Sequence, residues 1–366
     1  MQLYLKYVSI GFVTFTMMAC NPSHQVKLSP IEKLGKKIFF DENLSEPIGQ
    51  SCATCHTATK GFADRENRAI SEGAVIGLFS KRNAPTIAYS AFVPSRYYDK
   101  VDSTYVGGLF WDGRVNSLEV QARNPFVNLL EMGNLSDSML VQKLKKAAYY
   151  GDFVALFGKS TSIGKTFDQI CDALAAYQRS AEINSFSSKY DAYLDGKVKL
   201  SKEEMEGLVL FSDAKRAKCA ECHILEADPG AKKVLFTDHT YDNLGIPKNL
   251  ENPFYQMPKV HNPQGQAFVD FGLGEIVKNE NENGKFRVPT LRNIAQTAPY
   301  GHNGYFKTLE EIVHFYNVRD LPNQFPVAEY PNTVNTAELG DLKLSLREEK
   351  AIVSFMKTLS DGYIVP

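Results

Sequence analysis

Apolar positions in this chain recur at three- and four-residue spacing far more often than they alternate. The pattern predicts helices joined by irregular segments, with little strand. Ser29-Pro30-Ile31-Glu32 has the form of a capping box with proline at the first helical position, followed by Leu34 and Ile38 on one face. Ser201 and Glu204 open a second helix, whose Met205, Leu208 and Phe211 line up on its inner side. Ser345 and Glu348 open the last, with Ile352, Phe355, Met356 and Leu359 facing inward. Thr308 and Glu311 cap a short helix in which Leu309, Ile312, Val313 and Tyr316 fall at i, i+3, i+4 and i+7. Tyr316 therefore points inward and His314 is turned away from the stripe. Ile170, Leu174 and Tyr177 mark a further helix, in which Cys171 reads as a small buried hydrophobe. Long Gly-, Pro- and Asn-rich stretches such as "LEADPGAKK" and "KNENENGK" lie between these elements.

The pattern repeats. "APTIAYSA" at 84–91 parallels "VPTLRNIA" at 288–295, and "WDGRVNSLEVQARNP" at 111–125 parallels "HNGYFKTLEEIVHFY" at 302–316 without a gap. A polar stretch, "SSKYDAYLDGKVKLS", separates the copies. It places a boundary near residue 198, between domains 27–197 and 198–366.

The chain has 366 residues, a formal net charge of −1, and 43% apolar and 23% charged residues. That length allows two cores, and the neutral balance carries no nucleic-acid footprint. Residues 1–20, "MQLYLKYVSIGFVTFTMMAC", read as an export signal with an apolar run too short to span a membrane. Ala19 before Cys20 has the form of a lipoprotein processing site, so Cys20 is the expected lipid anchor of a periplasmic, membrane-attached protein.

Four of the six cysteines sit in two pentapeptides, Cys52-x-x-Cys55-His56 and Cys219-x-x-Cys222-His223. Zinc ribbons keep such pairs about 15–20 residues apart, and a dithiol redox centre has no use for the following histidine. Covalent haem attachment explains all three residues. Two thiols add to the porphyrin vinyl groups, and the next residue ligates iron. The expected fold class is all-α, two cytochrome c-like haem domains with long irregular loops.

The repeat bears on the far side of each iron. An inward Tyr316 needs a partner for its hydroxyl, either a carbonyl or iron. The matching residue in the first copy, Pro125, has no donor atom, and no other histidine lies between His56 and Cys219. Met132, Met139 or a lysine could in principle ligate there; otherwise the first haem has an open face. Gln121 is polar where its helix stripe turns inward, and Glu131 follows an apolar run in "NLLEMG". A buried carboxylate beside ferric haem can move a proton between peroxide oxygens.

These segments resemble the bacterial di-haem cytochrome c peroxidases and their relative MauG, a maturase of a tryptophan-derived quinone cofactor. The resemblance rests on "LGKKIFFDENLS", "SCATCH", "RNAPT", "FWDGR", "LLEMG", "KCAECH", "VPTLRN" and "TAPYGHNG", in family order from about residue 30 to 360. It implies a peroxidatic first haem with Gln121, Pro125 and Glu131 on its distal side. It implies an electron-handling second haem whose distal ligand, Tyr316, lies fourteen residues after His302. Trp111 matches an aromatic relay between the haems. Asn83, Thr297 and Pro299 match positions holding a calcium ion. Ordinary peroxidases carry methionine where Tyr316 stands, and many carry a blocking histidine after the first haem motif. Both departures resemble MauG. A hard phenolate favours oxidised iron, so Tyr316 should lower the potential of the second haem. Met257 would be the soft alternative.

The leading expectation is an oxidoreductase that reduces hydrogen peroxide with electrons from a small cytochrome c or copper protein. The alternative is a MauG-like oxidase acting on Trp or Tyr side chains of a partner protein. A plain di-haem electron carrier is the non-enzyme reading, and Pro125 argues against it.

Overall fold

The computed structural model describes residues 26–366, so the leader, Cys20 and its proposed lipidation lie outside the described residues. The helices are α1 (Pro30–Phe39), α2 (Cys52–Cys55), α3 (Leu118–Val127), α4 (Asp137–Leu144), α5 (Tyr150–Phe157), α6 (Ile163–Arg179), α7 (Lys189–Leu194), α8 (Lys202–Ser212), α9 (Leu273–Val277), α10 (Leu309–Val318) and α11 (Leu346–Lys357). Three short antiparallel ribbons join them: β1 (Tyr97–Asp99) with β2 (Thr104–Val106), β3 (Ala227–Asp228) with β4 (Lys233–Val234), and β5 (Tyr241–Asp242) with β6 (Phe286–Arg287). The all-α expectation is thereby corrected to mostly helical. Loop backbone too irregular to show alternation still pairs where two strands of two or three residues meet.

The start signals read from sequence are formed as side-chain geometry. Ser29 with Glu32, Ser201 with Glu204, Thr308 with Glu311 and Ser345 with Glu348 are all reciprocal capping boxes. Each satisfies two backbone N–H groups that the first helical turn leaves without partners.

Two apolar clusters divide the chain. One gathers α1, α3, α4 and α6 around Leu34, Phe39, Phe126, Phe167 and Tyr177. The other gathers α8, α10 and α11 around Phe211, Phe306, Phe315 and Phe355. The boundary expected near residue 198 falls in the loop between α7 and α8, but α7 packs on the second cluster. Tyr190 meets Phe355 edge to face at 5.4 Å, and its N–H donates to Thr358 O at 3.0 Å. The change of core therefore comes between Ile183 and Tyr190.

The repeat seen in the letters extends into backbone geometry. Thr86 and Thr290 each donate a side-chain hydrogen bond back to the loop after their own haem motif, to Gly61 O at 2.5 Å and Leu235 O at 2.6 Å. Tyr89 and Asn293 are both left-handed, with φ of 64° and 62°, and each leads into a 3₁₀ turn. In each half the first helix crosses the last at a glycine. A Cβ on Gly35 would lie 1.9 Å from Ala173 O, and one on Gly207 would lie 1.9 Å from Ala351 O. Only glycine permits that approach.

Candidate haem centres

Cys52 and Cys55 are the first and last residues of α2, so one helical turn holds the two thiols on neighbouring positions, with His56 as the C-cap. In the second motif a 3₁₀ turn over Cys219–Glu221 does the same for Cys219, Cys222 and His223. The two histidines are anchored alike. His56 Nδ1 lies 3.1 Å from Phe62 O, and His223 Nδ1 lies 2.8 Å from Phe236 O. Both accepting residues have left-handed backbone, with φ of 62° and 56°. Such conformations cost energy in a bulky residue and mark positions held by their surroundings. A hydrogen bond through Nδ1 fixes the tautomer and leaves Nε2 free to ligate a metal. Burial lowers both imidazole pKa values, that of His223 to about 4, which keeps them neutral and able to ligate.

The thiols fit thioether formation better than thiolate chemistry. Burial pushes Cys52 up to about 12, Cys55 up to about 11 and Cys219 up to about 12, and raises Cys222 as well. Zinc ligation and thiol exchange both need thiolate. The two pairs are also split between the two cores. Among the described residues the one cluster of three metal-competent groups is Cys222, Asp242 and Glu338, which joins no second cysteine.

A large cavity opens beside the second motif. Cys219, Cys222 and His223 line it, with Phe211, Ile246, Leu309, Val313 and Met356 forming apolar walls suited to a flat macrocycle. Tyr316 also lines it. Its hydroxyl has no hydrogen-bond partner among the described residues, and burial, followed by the nearby Cys222 and Cys219, raises its pKa above the ordinary phenol value. The inward turn expected from the helix stripe is thus present, and no carbonyl takes the hydroxyl. His314 is turned away and pairs with Glu349 at 3.0 Å. Met257 does not reach this cavity. Its sulfur accepts from Phe79 N–H at 3.3 Å in a separate cluster with Phe254 and Tyr255, so the soft-ligand alternative is withdrawn.

Around the first motif, Glu131 is enclosed and close enough to both thiols for its charge to raise their pKa values. Burial raises its own pKa. The bond from Asn128 Nδ2 at 2.7 Å and the more distant Arg114 act the other way. The turn that carries it is wound by Pro125, whose carbonyl accepts from Met132 N–H at 3.1 Å. Gln121 stands one turn before Pro125 on α3, half-buried, on the same face. Met132 is buried in the first core, and Met139 is half-buried on α4. Cys171 is buried with its thiol pushed up to about 12, as a packing residue should be.

Between the motifs, Trp111 donates from Nε1 to Asn83 O at 2.9 Å and lines the second cavity with Asn83, Thr297 and Pro299. Asn83 spends its Nδ2 on Ala69 O at 3.0 Å, which leaves its Oδ1 for another partner. The sequence reading missed the ion cluster next to them. Arg82 binds Asp270 through Nε and Nη2 at 2.6 and 2.7 Å and Asp112 through Nη1 at 2.5 Å, joining the two halves. Arg82 and Asp112 sit inside the quoted "RNAPT" and "FWDGR", so motifs that carry the resemblance contained the signal. Asp270 lies in an irregular stretch with no pattern to betray it.

The paired Cys-x-x-Cys-His turns, the matched anchoring of the two histidines and the apolar cavity beside the second motif fit a two-centre c-type haem protein. The chain belongs to the di-haem cytochrome c peroxidase family, which implies two c-type haems, and is an oxidoreductase. A family profile described as di-haem cytochrome c peroxidase matches residues 29–199. The methylamine utilization protein MauG of Paracoccus denitrificans is 34% identical over 356 residues, covering 91% of this chain and 89% of the relative. The cytochrome-c peroxidase IdrP1 of a Pseudomonas species (strain SCT) is 31% identical over 389 residues, covering 98% of this chain and 92% of that one. The solved di-haem peroxidase BthA of Burkholderia thailandensis E264 superposes with a TM-score of 0.79 at 31% identity, over 92% of this chain and 87% of the other.

Proposed function

We propose that the chain is a hydrogen peroxide-reducing di-haem peroxidase built as two cytochrome c-like units. The first unit attaches its haem through Cys52 and Cys55 with His56 on iron. The second uses Cys219 and Cys222, with His223 and Tyr316 on iron. The carrying observation is the inequality of matched positions: a phenol with no other partner on α10, and Pro125 on α3. Ferric haem with a free face supplies a site that binds and polarises peroxide, and the second haem supplies a store and conduit for electrons.

The chain's own groups do the rest. Glu131, whose pKa burial raises and so makes it a better proton acceptor, would as the carboxylate take a proton from one peroxide oxygen and, as the acid so formed, return it to the other, while Asn128 orients the carboxyl. Pro125 keeps the distal face free of a donor atom and, through its carbonyl, sets the turn that aims Glu131. Gln121 offers an amide on the same face. Trp111, pinned by Asn83, stands as the aromatic group between the centres. Asn83, Thr297 and Pro299 offer neutral oxygens on one cavity wall, a set that would hold a calcium ion with water completing the shell.

No helix among the described residues is long and apolar enough to cross a membrane. A periplasmic location with a lipid on Cys20 follows from the leader alone. The electron donor would be a small cytochrome c or copper protein. The MauG-like reading, with electrons drawn from Trp or Tyr of a protein partner, is favoured specifically by Tyr316. One equivalent of hydrogen peroxide added to the diferric protein tests the site. Loss of the ferric optical and EPR signals without prior reduction is expected. No reaction until one electron is supplied would mean that the first haem carries a blocking ligand. Turnover with a reduced small redox protein, against covalent change in a co-isolated protein, separates the two readings.

A further inference from the structure

Among the guanidinium groups in and around the second cavity, one stands without a carboxylate partner among the described residues. Three guanidinium groups lie in this region, and the two buried ones are held by carboxylates: Arg82 by Asp270 and Asp112, and Arg292 by Asp191 through two bonds of 2.9 Å. Arg287, on β6, is different. Its Nη1 reaches only Val288 O at 3.3 Å, its Nε has no partner, and no carboxylate of the described residues pairs with it. Burial lowers its pKa from the usual arginine range. Beside it, His239 is buried with neither ring nitrogen hydrogen-bonded, the nearest carboxylate oxygen of Asp228 standing 3.8 Å from Nε2. Both residues line the cavity that holds Cys219, His223 and Tyr316.

Arginine stays protonated in proteins, and a buried unpaired charge is strongly unfavourable. Arg287 is half-buried at the cavity wall with its Nε shut away from solvent and unpaired, and no carboxylate of the described residues relieves it. The remaining partner is an anion inside the cavity, and haem c carries two propionate carboxylates. We propose that Arg287 and His239 are the anion-receiving end of the second cavity, binding the haem propionates. This rests on the di-haem reading.

The wall that carries them is tied to the first half of the chain. Arg287 N–H donates to Trp111 O at 2.8 Å, Gly107 N–H donates to His239 O at 2.9 Å, and the Tyr241 hydroxyl donates to Gly107 O at 2.5 Å. Tyr241 in turn pairs with Arg287 across the β5–β6 ribbon. Arg287 would thus be a positioning residue, holding a propionate of the second haem from a wall that is tied to the Trp111 loop. Its positive charge favours the reduced state of that haem, because adding an electron makes the centre less positive.

The test uses the full-length holoprotein, with haem counted per chain by pyridine haemochromogen. Arg287→Gln is expected to lower the midpoint of the second haem by at least a tenfold shift in its reduction equilibrium, about 59 mV for one electron. Arg287→Lys should retain most of the wild-type value, and the first haem should not move. The propionate-bending band in resonance Raman should shift in Arg287→Gln. His239→Gln, which removes no fixed charge, should shift the same band and serves where the arginine variant fails to accumulate. Two haems per chain with unchanged potential and band in Arg287→Gln, or an unmoved band in His239→Gln, overturns the assignment alone. Fewer than two haems in the wild type sinks the di-haem reading and this assignment with it.

Discussion

Pro125 and Tyr316 are each the eighth residue of a ten-residue helix, α3 and α10, capped by Ser117 and Thr308. Ser117 accepts from Val120 N–H and Thr308 forms a reciprocal capping box with Glu311, so the two side chains fall at the same place in their own helices. One place offers a phenol oxygen and the other a saturated ring. The functional asymmetry proposed for the molecule rests on this one substitution between copies.

Replacing Tyr316 tests that asymmetry directly. Tyr316→Phe removes the oxygen donor while keeping the ring, so cyanide binding should rise from one to two equivalents per chain. Tyr316→Met should raise the potential of the second haem by more than a tenfold shift in its reduction equilibrium, since thioether sulfur favours ferrous iron. Cyanide titration and potentiometry read the two effects. Unchanged cyanide stoichiometry in Tyr316→Phe would remove Tyr316 from the iron.

Glu131→Gln keeps the shape and the bond from Asn128 but cannot shuttle a proton. Peroxide consumption should fall by roughly 10²–10⁴-fold with both haems still attached. Stability should change in the opposite sense. Burial raises the pKa of Glu131 above its unfolded value of 4.5, so the unfolded chain ionises first as pH rises. Ionisation therefore erodes stability from about that pH upward. The glutamine variant should melt higher than wild type at pH 7 and no higher at pH 4.

The Arg82–Asp270–Asp112 cluster predicts an acid limit. The guanidinium of Arg82 outweighs burial and holds both carboxyls below the usual range of about 3.8. Their contribution is complete above that value and is lost progressively as pH falls below it toward the lowered pKa values of the folded state. Asp270→Asn leaves Arg82 short of a charge partner and should cost about 3–5 kcal/mol in denaturant unfolding at pH 7. The same variant should show a weaker fall in stability between pH 5 and pH 3. An unchanged acid profile would show that Asp270 does not govern it.

Much of this was legible in the letters, for identifiable physical reasons. Capping boxes are local, so Ser29, Ser201, Thr308 and Ser345 marked helix starts that the structure reproduces. Cys-x-x-Cys-His is one turn of chain, so its chemistry could be read without a fold. The boundary expected near residue 198 follows the polar stretch, whereas α7 before it packs on the second cluster through Tyr190, Tyr193 and the Asp191–Arg292 pair, contacts with distant residues that no local pattern displays. Arg287 and His239 went unnoticed because their meaning lies in the absence of a partner, which no sequence displays. Met257 looked like a ligand because a sequence cannot show that Phe79 N–H has already engaged its sulfur.

The two glycine crossings carry the last prediction. Gly35 on α1 meets Ala173 and Tyr177 on α6, and Gly207 on α8 meets Ala351 and Phe355 on α11, in matching order. A methyl group at either position would overlap a backbone carbonyl of the facing helix, which cannot rotate aside. Gly35→Ala and Gly207→Ala must each push the crossing apart, at a cost of about 1–3 kcal/mol despite alanine's better helix propensity. Because the crossings belong to different apolar clusters, the damage should stay local. Gly35→Ala should perturb the spectrum of the first haem and leave the second unchanged, and Gly207→Ala should do the reverse. Haem-resolved EPR during denaturant titration distinguishes the two. If either variant disturbs both centres equally, the halves unfold as one unit, and the duplication visible in the sequence does not survive as energetic independence.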